Sequence, residues 1–151
     1  MPSEKQDKRP ITGGAVVVRP RPLKYRPGDV IGLRLISDTH IGASNVDYRL
    51  LRSELEHAAK HKDRILINGD VFDAILPSDH KRFDPHTLHP RIRGRRNVLG
   101  ECLEWAYEIF KPYAELIDFI GVGNHDEAVH RHHSFDIVME LIKRLQADID
   151  A

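Results

Sequence analysis

The segment ILINGDVFD (residues 65–73) decides the fold class. Its first three residues are apolar and read as a short buried strand, and the chain then breaks at Asn68-Gly69. Two aspartates follow, Asp70 and Asp73, with the apolar pair Val71-Phe72 between them. The same plan recurs on either side. Upstream, the apolar run Val30 to Ile36 leads into Ser37-Asp38-Thr39-His40, and downstream Leu116 to Val122 leads into Gly123-Asn124-His125-Asp126. Helical spacing fills the gaps. Ser44 or Asn45 is the expected cap of a helix carrying Val46, Leu50, Leu51, Leu55 and Ala58, ending near Lys62. Leu99, Cys102, Leu103, Ala106, Ile109 and Phe110 form one face of a second helix stopped near Pro112, which assigns the single cysteine to the core. Ser134 is the expected cap of a third, with Phe135, Val138, Met139, Ile142 and Leu145 on one side. Strands alternating with helices predict an α/β fold with a parallel sheet.

In an open α/β sheet, ligands bind beyond the carboxyl ends of the strands. Three clusters of Asp, His and Asn therefore converge on one rim. Crowded carboxylates repel one another unless a cation compensates them, and mixed oxygen and imidazole donors suit Mn, Fe or Zn. Asp38 and His40, two apart in an extended turn, can face one ion. Asp70 can bridge two ions held about 3.5 to 4 Å apart, a spacing that clamps the attacking and leaving oxygens of phosphoryl displacement. The side-chain carbonyl of Asn124 can complete part of the second ion's shell. His125 can protonate a leaving alkoxide, with Asp126 placed to orient its ring.

Taken together, Asp38-Thr39-His40, Gly69-Asp70-Val71-Phe72-Asp73 and Gly123-Asn124-His125-Asp126 resemble the first three motifs of the calcineurin-like metallophosphoesterases. The resemblance spans about residues 31–126. It implies an αββα sandwich, a centre of two divalent metal ions, manganese foremost, and hydrolysis of a phosphate ester by a metal-bound hydroxide. Asp38 and His40 would bind the first metal, Asp70 would bridge, Asn124 would bind the second, and His125 would protonate the leaving group. Asp73 would support the site without ligating. Ala74 and Asp126 stand where the protein serine/threonine phosphatases of this family carry Arg and Glu, so the pattern looks more like its phosphodiesterase and nuclease branches.

Two later histidine motifs of that family have no counterpart, since only 26 residues follow His125, and His130-Arg131-His132 reads as an exposed loop pair. Residues 30–151 are therefore expected to be the N-terminal half of such a domain, its sandwich incomplete. The alternative is a catalytically incompetent fragment that binds nucleic acid or metal. Residues 1–29 hold five of the nine prolines and seven basic against three acidic residues, an expected extended arm with one short strand at Ala15 to Arg19. The whole chain is nonetheless neutral, with 23 basic and 23 acidic residues. The stretch Pro77 to Arg96 adds His80, His86, His89 and several Lys and Arg residues, a candidate phosphate-facing loop. The longest apolar run is Ala15 to Val18, too short for a membrane span, and the N-terminus lacks a secretory core, so a cytoplasmic location is expected.

Overall fold

The computed structural model describes residues 15–18, 24–73, 76, 81 and 83–151 of the chain. Four strands form one sheet in the order β1-β4-β3-β2, where β1 is Ala15–Val17, β2 Leu33–Ile36, β3 Arg64–Ile67 and β4 Ile117–Gly121. The pairs β2–β3 and β3–β4 are parallel, as expected, while β1 runs antiparallel to β4. The fold is mixed α/β. Four α-helices, α1 Tyr48–His61, α2 Val98–Phe110, α3 Asn124–His133 and α4 Ile137–Asp150, complete it. The rest of the basic arm, residues 1–14 and 19–23, lies outside the described residues, as do Ala74, His80 and Arg82.

Register explains which sheet face is buried. Ile36 pairs with Ile67, Ile67 with Ile120 and Ile65 with Ile117, so these five isoleucines share a face; all are core residues. The register shifts between Ile65 and Leu66, so β4 carries one extra residue, Asp118, a bulge that leaves Ile117 and Ile120 on the same side. Asp118 accepts from Arg64 Nε at 2.9 Å and from the same guanidinium's Nη2. Leu51, Leu55 and Ala58 of α1, seven residues of α2 and five of α4 fill the core above this face. The opposite face carries Leu33, Leu35, Leu66 and Phe119, of which Leu33 and Leu35 are exposed.

Cys102 lies in the core, fully buried, and burial pushes its thiol up to about 12. Both neighbouring caps differ from expectation. Asp47, not Ser44 or Asn45, caps α1, accepting from the amides of Arg49 and Leu50. Ser44 is engaged elsewhere, its amide on Thr87 O at 2.8 Å and its hydroxyl on His86 O at 3.0 Å. The GNHD segment opens α3. Ser134, expected to start the last helix, closes α3 in the left-handed region with φ +51° and donates to His130 O. Asp136 caps α4 through Met139 N, so His130 and His132 are helical, on an exposed stretch of α3. Among the described residues no helix is long and apolar enough to cross a membrane.

Candidate metal centre

The loop after β2 lies along the loop after β3, extending the parallel pairing past the strand ends. Asp38, His40 and Ile41 donate to the carbonyls of Gly69, Asp70 and Val71, and Asp73 N donates to Ile41 O. Ile41, Val71 and Phe72 are fully buried, and Thr39 is anchored by its hydroxyl on Val71 O at 3.0 Å. These apolar anchors leave the alternating polar residues at the rim. Asp38, His40 and Asp70 all hold positive φ, +53°, +42° and +48°, each a conformation that costs an L-residue roughly 1–2 kcal/mol. Strain concentrated in three candidate ligands is typical of a site whose geometry is imposed by its surroundings.

The third loop crosses the second in close contact. Asp70 Oδ1 accepts from His125 N at 3.0 Å. A Cβ on Gly123 would lie 2.0 Å from that same oxygen, so only glycine fits there. Asp126 is 2 % exposed, and its carboxylate accepts from Val71 N, Phe72 N and Gly123 N at 3.1, 2.9 and 3.0 Å. Burial raises its pKa against the pull of those three amides. Its place is therefore a tie between two loops. The carboxylate beside the His125 ring is Asp73, at 3.3 Å from Nδ1, in the position expected for Asp126.

Two groups of possible ligand atoms result, each within 4.8 Å: Asp38, His40 and Asp70, and His40, Asp73 and His125. His40 belongs to both. Its Nε2 lies 3.6 Å from Asp38 Oδ1 and its Nδ1 lies 3.7 Å from Asp73 Oδ2, too far for hydrogen bonds. Ligands that each sit about 2.0–2.2 Å from one ion lie roughly 3–3.5 Å apart, close to these separations. His40 Nδ1 is moreover buried and has no hydrogen-bond partner. An unpaired buried nitrogen facing a carboxylate fits a cation between them. The residues present thus suit a divalent metal.

Asn124, expected as a ligand, sits exposed in the first turn of α3, adjacent to the His125 amide that binds Asp70. Asp73, expected to stand behind the site, is brought into it. The described part of the basic segment is largely tied down. Arg91 pairs with Glu108 at 2.6 Å, and Arg93 donates to Leu88 O.

A family model described as calcineurin-like phosphoesterase matches residues 33–150, more than three quarters of the chain. Comparison with curated proteins and with solved structures gives no match. The matched span contains all three strands that carry the ligand loops and all three loops themselves, and the chain belongs to the calcineurin-like phosphoesterase family, hydrolases of phosphate esters.

Proposed function

We propose that the chain hydrolyses phosphodiesters at a centre of two divalent ions, manganese foremost. The observation that carries this reading is the ligand group Asp38, His40 and Asp70, gathered from the loops after β2 and β3 with the His125 amide bonded to Asp70. Asp38, His40 and Asp70 would hold one ion; Asp70 and Asn124 would contribute to the other. When bound, such ions supply Lewis acidity toward the phosphoryl oxygens and acidify water. The protein's own part is positional. The interloop hydrogen bonds hold the Asp70 carboxylate between the loops, and its bond from His125 N fixes one lone pair of Oδ1. As water adds to phosphorus and the ester P–O bond breaks, His125 gives its proton to the leaving oxygen. Asp73, 3.3 Å from Nδ1, stabilises the protonated ring and sets its orientation.

The grouping of His125 with His40 and Asp73 favours a second reading, in which His125 is itself a ligand. Metal stoichiometry separates the two. If His125 is the acid, His125→Ala keeps the ion count and lowers kcat by about 10²–10⁴-fold. If it is a ligand, the count falls. For the function itself, the full chain is assayed with bis(p-nitrophenyl) phosphate in Mn, Fe, Zn or Mg. Metal-dependent turnover lost in Asp70→Asn is expected; no turnover above blank with any of the four ions overturns the reading.

A further inference from the structure

His40 belongs to both groups of candidate ligands, and the chain turns back on itself directly after it. Ala43 N donates to His40 O at 3.1 Å, closing a turn whose third residue, Gly42, holds φ +115°, the position where such turns call for glycine. A side chain there would be strained by the backbone and would also collide, its Cβ meeting Cys102 Sγ at 2.9 Å and Asp73 O at 3.1 Å. Ile41, inside the turn, accepts from Asp73 N at 3.2 Å. The turn thus begins with His40 and is bonded to the backbone of Asp73, whose carboxylate lies 3.7 Å from His40 Nδ1.

The far half of this turn is held from outside. Tyr48 Oη accepts from Gly42 N and donates to Ala43 O, both at 3.0 Å, and His89 N donates to Gly42 O at 2.8 Å. Tyr48 is the first residue of α1, directly after its Asp47 cap, and its ring is seated on Trp105 of α2 with centroids 4.3 Å apart and planes at 24°. Burial pushes the Tyr48 phenol up to about 12, so the hydroxyl keeps the proton it donates to Ala43 O throughout the neutral range. With both bonds made, Gly42 and Ala43 are fixed to the two helices, and His40 is kept in its positive-φ conformation beside the carboxylates. Without them Gly42, the most permissive residue type, is free to rotate and to loosen the Ala43 bond onto His40 O.

We propose, resting on the reading above in which His40 is a ligand, that Tyr48 is a positioning residue for the metal centre: its hydroxyl locks the turn that presents His40 to the ion. The ring stack on Trp105 seats the side chain, and the hydroxyl carries that rigidity across to the ligand loop.

The test is Tyr48→Phe in the full chain, which keeps the ring on Trp105 and removes both bonds. Mn affinity by isothermal titration should fall about tenfold, as it does when partners that orient metal ligands are lost, with circular dichroism unchanged. The visible absorption of bound Co(II), which follows ligand geometry, should differ between saturated wild type and Tyr48→Phe. Ile142→Val, which loosens the α4 core instead, should keep the wild-type affinity and spectrum. Unchanged Mn affinity or an unchanged Co(II) spectrum in Tyr48→Phe overturns the proposal and leaves the metal centre standing. An equal loss of affinity in Ile142→Val overturns it too, since the effect would then be general loosening. Binding of neither ion by wild type removes the metal centre itself, and the role of Tyr48 with it. Should Tyr48→Phe lose its fold, amide exchange in wild type decides. Bound Zn is expected to slow exchange of the Gly42 amide at least threefold, because the ion and the hydroxyl hold one turn and such coupling is reciprocal; an unchanged rate overturns the proposal.

Discussion

At the scale of single residues, the centre depends on side chains and gaps that hold loops against each other. Gly123 is the clearest gap: a Cβ there meets Asp70 Oδ1 at 2.0 Å and Asp70 N at 2.3 Å, and neither the backbone nor the candidate bridging carboxylate can retreat without breaking the bond from His125 N. Gly123→Ala should therefore cost about 1–3 kcal/mol, as overpacking does, and weaken Mn affinity relative to wild type. Isothermal titration with Mn and urea unfolding read both effects; Mn affinity equal to wild type would show that Asp70 is not a ligand. Asp126 makes the complementary case. Its carboxylate satisfies three backbone amides of two loops in a buried setting, so Asp126→Ala leaves three donors unpaired and should destabilise by about 3 kcal/mol. A loss below ~1 kcal/mol in urea unfolding would mean that water replaces the carboxylate.

At the scale of elements, the segment after β2 is clamped to the loop before α2. His89 N donates to Gly42 O at 2.8 Å, Tyr48 Oη bridges Gly42 N and Ala43 O, and the Tyr48 ring stacks on Trp105 at 4.3 Å with His89 against both. Burial, then the charges of Arg91 and Arg93, hold the His89 pKa below the usual histidine value. The unfolded chain therefore binds more protons at this residue in the window just below the ordinary value near 6.5. The stability it contributes is complete above that value and is lost as pH falls through the lowered folded pKa. Urea unfolding at pH 7.5 and at pH 5.5 should show a smaller difference in His89→Phe than in wild type, since Phe keeps the stack and removes the titration; an unchanged difference excludes His89 as a source. This clamp was illegible in the sequence, because it joins residues more than forty positions apart. It also explains the displaced cap, since Ser44 is spent on Thr87 and His86, and Asp47 takes the helix start. The strands, by contrast, stood out as apolar runs ending in Ser37, Asn68 or Gly123, and the α1, α2 and α4 faces as periodic leucines, isoleucines and valines. α3 gave no such signal: of NHDEAVHRHH only Asp126 and Val129 are buried, so its helix rests on the Asp126 cap. The first ligand group, Asp38, His40 and Asp70, was readable from position after strands. Asp73 as the partner of His125 was not, because that contact depends on how two loops cross.

At the scale of the whole molecule, a bound ion would join loops from three strands that are otherwise linked only by backbone and a few side-chain bonds. Asp38, Asp70 and Asp73 face one another across His40, and without a cation their charges oppose that convergence. An ion that binds only the folded chain stabilises it by RT ln(1 + [L]/Kd), about 2.7 kcal/mol at a hundredfold excess over Kd. For a chain of 151 residues each kcal/mol shifts Tm by roughly 2–4 °C, so Mn at that excess should raise Tm by about 5–10 °C, and chelation should reverse the rise. The Asp70→Asn variant separates charge from hydrogen bonding, since an amide oxygen can still accept from His125 N while the carboxylate charge is gone. In the metal-free state that variant should be at least as stable as wild type, because it relieves repulsion and keeps the bond. With Mn it should gain little. Differential scanning calorimetry on both proteins, with Mn and with chelator, gives four Tm values. A metal-free Asp70→Asn protein clearly less stable than wild type would show that Asp70 serves the fold and not an ion, and a wild-type Tm indifferent to Mn would remove the metal centre altogether.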